Sequence, residues 1–302
     1  MDSKEHLHKT DSKKKQEVHL TVSEDTVLMK FLLSQIPYKN RDNFKTLLND
    51  QQIRVDGEVI TWYNHPLSPG QEVIVGWDKT PPTKQYPGIK ILFEDPYLIV
   101  IEKNTGVLSI STEKVKDQTA YSILSRHVKE QNPSNRIFIV HRIDRETSGV
   151  MIFAKSEEIQ AKLQENWNDT ILERTYLAVV EGEIDRPKGT IVSYLHESIA
   201  LIVYSSKKST EGQKAITHYK VIKKNAKFSL LEVNLETGRK NQIRVHMQDI
   251  KHSVIGDKKY GSTINPISRL GLHAQVLAFT HPITKAPMRF ETPIPKAFLK
   301  LF

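Results

Sequence analysis

The chain has 302 residues, 38% of them hydrophobic, and a net charge of +9, which suits one large domain with a small companion. It contains no cysteine, so disulfides, cysteine-based zinc sites and a thiol nucleophile are excluded. No run reaches the length of a membrane span and the polar first residues lack the apolar region of a secretory signal, so no membrane partner and a cytoplasmic address are expected.

Residues 1–16 mix Lys, His, Ser and Asp with almost nothing apolar and read as a disordered tail. Residues 17–78 read as a small α/β unit. Val18 to Val22 alternates like a strand, and Val27, Phe31, Leu32 and Ile36 recur at helical spacing before Pro37. Arg41 to Leu48 continues as a second helix. Ile53 to Val59 reads as strand, tight Asp56-Gly57 turn, strand. Another strand is expected over Glu72 to Val75. Lys79 to Thr83 is proline-rich, and 79–88 is the expected linker.

Residues 89–302 read as a catalytic-sized domain dominated by strands. Ile89–Phe93 and Leu98–Ile101 flank Glu94-Asp95-Pro96, and Thr119 to Val128 is expected to be helical. Ser156 is placed to cap a helix carrying Ile159, Leu163 and Trp167 at four-residue spacing. Further strands are expected at Thr175–Val180, Ile216–Ile222 and Phe228–Leu235. The order of elements predicts an α+β fold with a central mixed, mainly antiparallel sheet flanked by helices and loops. Charge is uneven: residues 79–302 hold 34 Lys and Arg against 23 acids, whereas residues 18–78 hold five against eight. A basic surface of this kind favours a polyanion such as nucleic acid, or belongs to a merely soluble basic protein.

Two loops carry the chemistry. The first, His141-Arg142-Ile143-Asp144-Arg145-Glu146-Thr147-Ser148-Gly149, lies between the apolar runs Ile137–Val140 and Val150–Ala154. Its single aspartate stands between two arginines, and nearby positive charge favours the ionised, nucleophilic form of a carboxylate. The plainer reading is a surface ion pair. The second loop, Thr237-Gly238-Arg239-Lys240-Asn241, runs into a helix with Ile243, Met247 and Ile250 on one side. Arg239, Lys240, Arg244 and Lys251 gather cations near it. They suit phosphate and carboxylate partners, or form a solvated helix face.

Taken together, these segments resemble the ribosomal-large-subunit and transfer-RNA class of pseudouridine synthases, often called the RluA family. The resemblance covers residues 89–302. It rests on Ile91–Asp95 with Val100–Lys103, His141–Asp144 with Thr147–Gly149, Arg174–Ala178 with Glu181-Gly182, Thr237–Arg239 with Gln242–His246, and Gly256-Asp257 with Tyr260-Gly261. Leu270 through His273-Ala274 closes the series. Asn104 stands where the family usually has proline, and Asn241 where it usually has histidine. Residues 17–78 resemble the S4-type RNA-binding module through Arg41, Lys45 and the Ile53–Gly57 hairpin, although the net charge of −3 over residues 18–78 works against phosphate contact.

The resemblance implies a pseudouridine-synthase fold and an isomerase that acts on ribosomal or transfer RNA, without cofactor, metal or protein partner. It assigns Asp144 as nucleophile and Arg244 as its ion-pair partner. Tyr176 would stack on the target base and is chemically able to assist at the C5 proton. Ile243 would pack beside the base, and Arg142 would fill the space left by an extruded uridine. Arg239 and Thr147 would complete the substrate contacts. His141, His246, His273 and His281 read as packing or hydrogen-bonding residues, since no third ligand stands at a metal-binding spacing. The competing reading is an RNA-binding protein of the same fold with altered catalysis, which the joint presence of Asp144, Tyr176 and Arg244 disfavours. A hydrolase or kinase lacks its motifs here.

Overall fold

The computed structural model describes residues 17–77, 86–111, 115, 117–165 and 167–302. The predicted tail and residues 79–85 of the predicted linker lie outside them. The chain divides into two compact units, Met1–Pro82 and Thr83–Phe302.

The first unit contains β1 (Glu17–Thr21), β2 (Thr26–Val27), α1 (Leu28–Gln35), α2 (Arg41–Asn49), β3 (Ile53–Val55), β4 (Glu58–Val59), β5 (Pro66–Leu67) and β6 (Glu72–Gly76). Four strands form a sheet in the order β1-β6-β3-β4, and β2 pairs with β5. The Asp56-Gly57 turn has both residues at positive φ, 49° and 85°, as a tight two-residue hairpin requires. Asn40 caps α2 in a reciprocal box with Asn43. Leu28, Leu32, Phe44, Leu48, Ile53 and Val75 close the core.

The second unit comprises β7 (Ile89–Glu94), β8 (Leu98–Lys103), α3 (Ala120–Gln131), β9 (Phe138–Ile139), β10 (Ser148–Ala154), α4 (Glu157–Glu165), α5 (Trp167–Thr170), β11 (Ile171–Glu181), β12 (Lys188–Glu197), β13 (Val203–Ser206), β14 (Gln213–Lys224), β15 (Phe228–Leu235), α6 (Gln242–Asp249), β16 (Leu272–Thr280), β17 (Pro287–Glu291) and α7 (Lys296–Leu299). Its strands form one sheet in the order β13-β12-β14-β15-β11-β16-β10-β8-β7, with β17 on β16 and β9 on β10. The pairing of β10 with β16 is parallel, and the other pairings among the described strands are antiparallel. Both faces of the β8 and β10 region are covered, which is why their sequences are continuous apolar runs. Leu98, Val100 and Ile152 pack on one side with Ile159 and Leu163 of α4. Ile99, Ile101 and Phe153 pack on the other with Ile123 and Leu124 of α3. Thr119 starts α3 through a capping box with Ser122.

The apolar run Ile137–Val140 has strand length and β-branched or aromatic content, which predicts a strand across it. The Ile137–Val140 run is strand only at Phe138–Ile139. Its carbonyls turn instead to side chains of α4, where Gln160 donates to Ile139 at 2.8 Å and Gln164 to Val140 at 2.9 Å. Helix is described over Glu157–Glu165, which carries Ile159 and Leu163, and again over Trp167–Thr170. The Trp167 ring lies 5.1 Å from the His141 ring and 5.7 Å from the Arg174 guanidinium.

Candidate active site

The Asp144 loop is held by a network of hydrogen bonds to consecutive carbonyls. Ser109 Oγ donates to the Ile143 carbonyl at 2.6 Å, and the Thr147 N–H to that of Asp144 at 3.1 Å. The Arg145 carbonyl accepts from the Gly106 N–H at 2.9 Å and from Lys103 Nζ at 3.2 Å. Thr105 Oγ1 donates to the Glu146 carbonyl at 2.7 Å. Lys103 is fully buried, and its ammonium also donates to the Asn104 and Val107 carbonyls. Burial pushes its pKa down to about 7, while the negative charges of Glu146 and Asp144 oppose that shift. The Asn104 side chain is not part of this network; its carbonyl is.

The second loop is tied down by Gln242. Its Oε1 accepts from the Thr237 hydroxyl at 2.8 Å and the Arg239 N–H at 2.9 Å, and its Nε2 donates to the Ile216 carbonyl and Thr217 hydroxyl of β14. Asn241 precedes α6 in the left-handed region at φ 55°, a conformation asparagine tolerates better than most residues. Arg244 on α6 then reaches Asp144, 100 residues away in sequence, with Nη1 donating to Oδ2 at 3.1 Å. Its other partners are Asp257, which it grips bidentately at 2.6 and 2.7 Å, and the Asn241 Oδ1 at 3.2 Å. The paired carboxylates hold the Arg244 guanidinium above its ordinary pKa against the cost of burial.

Asp144, Arg244, Tyr176, Arg142, Ile243, Arg239 and Thr147 all line a cleft of about 220 Å³. Ile243 and Thr147 are buried in its wall, whereas Arg142 and Arg239 are exposed. Arg142 makes no hydrogen bond or ion pair among the described residues, and Arg239 Nε donates to the Lys214 carbonyl at 3.2 Å. Tyr176 sits mid-strand on β11 at a register shift against β16. Burial pushes its phenol pKa up, the Arg174 charge lowers it and the Asp144 charge adds to the rise. The phenol therefore stays protonated at neutral pH. Lys251, by contrast, lies past the end of α6 and outside the cleft. Sequence spacing missed Asp257, whose sole signal was its place in the Gly256–Gly261 motif, and the clamp of Lys103.

Among the described residues, no group of three or more His, Asp or Glu converges as metal ligands. The histidines are engaged otherwise. His246 lies between the Ser193 and Thr217 hydroxyls, and His273 between those of Ser148 and Thr292. Burial lowers both to about 4. In the unfolded chain they protonate near their ordinary value of ~6.5. The unfolded state therefore binds more protons between about 4 and 6.5, and stability falls as pH drops through that window. Thermal unfolding across the window is expected to show this loss, and His246→Gln, which keeps hydrogen-bonding capacity without titrating, is expected to lessen it.

Comparison with known proteins decides the family. The RNA pseudouridylate synthase family matches residues 97–249, which span both loops as far as Arg244. The chain belongs to this family. It is 33% identical to the uncharacterized RNA pseudouridine synthase YhcT of Bacillus subtilis, over 82% of this chain and 83% of that one. It is 30% identical to the ribosomal large subunit pseudouridine synthase D of Nitrosomonas europaea, over 92% and 85% respectively. The solved structure of human RNA pseudouridylate synthase domain containing 4 overlays with a TM-score of 0.57 at 21% identity, covering 69% of this chain and 90% of that one. The α+β architecture with its mostly antiparallel sheet is thus the pseudouridine-synthase fold, and the enzyme class is RNA pseudouridine synthase, an isomerase. No helix among the described residues is long and apolar enough to cross a membrane.

Proposed function

We propose that this RNA pseudouridine synthase isomerises specific uridines of ribosomal or transfer RNA with Asp144 as nucleophile. The observation that carries the reading is the meeting of Asp144 and Arg244 at 3.1 Å in a cleft also lined by Tyr176. The reaction breaks the N1–C1′ bond, joins C1′ to C5, moves the C5 proton off carbon and leaves a proton on N1. Atoms and oxidation level are conserved. Asp144 attacks C1′ or assists departure of the base, as carboxylates do at glycosidic carbons. Tyr176 stacks on the uracil. Burial keeps its phenol protonated, which suits stacking better than removal of the C5 proton, since that role needs the phenolate. Ile243 and Thr147 shape the wall, Arg239 meets phosphate, and Arg142 answers to the extruded base.

The name of the Nitrosomonas europaea relative makes large-subunit ribosomal RNA the first substrate to test. Pseudouridine mapping of cellular RNA, with and without the gene, is expected to lose one or more sites in the deletion. Purified protein should restore them on RNA from that strain. An unchanged map together with no modification by the protein would overturn the reading.

The first unit belongs to the same function as an S4-like RNA-holding module. The net charge of −3 over residues 18–78 conceals a segregation. Residues 28–49, which carry α1 and α2, hold four of the five cations and one of the eight acids in residues 18–78. On that segment Tyr38 is 73% exposed, with its ring 6.5 Å from that of Trp77, and Lys39 Nζ stands over both. Aromatic rings beside cations suit unstacked bases and their phosphates. Replacing Lys39 and Arg41 with glutamine is expected to weaken RNA binding and flatten its salt dependence by about one unit of slope per lost phosphate contact. Turnover at saturating RNA should not change.

A further inference from the structure

Arg244 treats its two carboxylates unequally. Asp257, 1% exposed in its side chain, takes the short bidentate pair at 2.6 and 2.7 Å. Asp144, 28% exposed, receives a single longer bond at 3.1 Å. Asp257 is itself fixed, since its Oδ1 also accepts from the Tyr260 N–H at the start of the Lys258–Tyr260 turn. The Tyr260 ring lies 4.8 Å from the guanidinium, and its hydroxyl accepts from Asn241 Nδ2 at 2.8 Å. Asn241 in turn accepts the second Nη1 hydrogen of Arg244.

Bidentate pairing is the geometry a guanidinium and a carboxylate prefer. Were Asp257 absent, the freed Nε and Nη2 donors would be available to Asp144, whose two oxygens would then both be engaged. With Asp257 present, Asp144 Oδ2 is anchored by one N–H, and its Oδ1 makes no hydrogen bond among the described residues. That leaves one oxygen for C1′.

We propose that Asp257 is a positioning residue for the isomerisation: it holds the Arg244 fork turned away, so that Asp144 is oriented by one bond and keeps a free oxygen. The role rests on the reading of Asp144 as nucleophile. It gives the Gly256-Asp257 and Tyr260-Gly261 motif a task at the active site, as the backing of Arg244.

The test is a single-turnover cycle on large-subunit ribosomal RNA and bulk transfer RNA from a strain lacking the gene. Asp257→Asn, Arg244→Gln and the double variant are compared, with RNA affinity measured beside each rate. Asp257→Asn is expected to slow conversion about 100-fold, the scale of a misoriented reacting group, with affinity unchanged within about twofold. Because Asp257 acts through Arg244, the double variant should be no slower than Arg244→Gln alone. The double variant also removes both buried charges, so this comparison stands even if Asp257→Asn alone folds poorly around an unbalanced arginine. An Asp257→Asn rate close to wild type, or a double variant that loses the product of the two single effects, overturns the proposal. Asp144→Asn run alongside separates the two failures. Full activity there removes the nucleophile reading and this role with it. An inactive Asp144→Asn beside a fully active Asp257→Asn removes this role alone.

Discussion

Asp144→Asn is expected to abolish pseudouridine formation while RNA binding stays within about twofold of wild type. Removing a nucleophile from a covalent mechanism costs on the order of 10⁴-fold or more in turnover. Asparagine has the same shape and retains an oxygen for the Arg244 Nη1–H, so the 3.1 Å contact has a neutral substitute. The cations that line the cleft, Arg142, Arg239 and Lys240, are untouched. Asp144 is part-exposed and makes one ion pair, so the fold should change in stability by no more than about 1 kcal/mol. Single-turnover conversion, RNA binding and thermal unfolding of the same preparation separate these quantities. Turnover above about 1% of wild type would place the nucleophile elsewhere, because a neutral amide cannot supply an attack of that efficiency.

The sequence made some of this legible for local reasons. The Asp56-Gly57 hairpin, the Thr119 start of α3 and the Ser156 cap are each decided by a few neighbouring residues, and all three are present. The Phe228–Leu235 strand kept its predicted ends, with most of its residues buried and none exposed. Asp144 and Arg244 were paired through motif resemblance, not through any pattern of spacing, since a 100-residue separation leaves no periodic trace. Three features stayed hidden. β12 and β13 form an outer hairpin with exposed Val192 and Tyr204, so neither face gives a clean alternation. Lys103 looks like the polar end of a strand, yet it is buried because three carbonyls surround its ammonium. Asp257 reads as a turn residue. Its bidentate hold on Arg244 depends on two segments meeting, and no property of either segment alone announces it.

Gly149→Ala is expected to destabilise the protein by on the order of 3–5 kcal/mol, a large part of the 5–15 kcal/mol typical of a folded domain. Gly149 ends the Asp144 loop at φ 122°, where an L side chain is strained. It also sits where β10 meets β16 in parallel, with Ser148 opposite His273 and Gly149 opposite Ala274. A Cβ there would lie 2.0 Å from the Ala274 carbonyl oxygen and 2.7 Å from its nitrogen. Those are backbone atoms of a central strand, so relief requires β10 and β16 to separate. Separation would move Ser148 from His273 and, five residues before Gly149, displace Asp144 from Arg244. Gly57→Ala is the matched control: its φ is also positive, at 85°, but nothing lies within 4 Å of the new Cβ. It should cost only about 1 kcal/mol. Urea unfolding of the two variants distinguishes strain alone from strain plus collision. Equal losses would mean that the close approach of β10 to β16 does not hold the Asp144 loop in place.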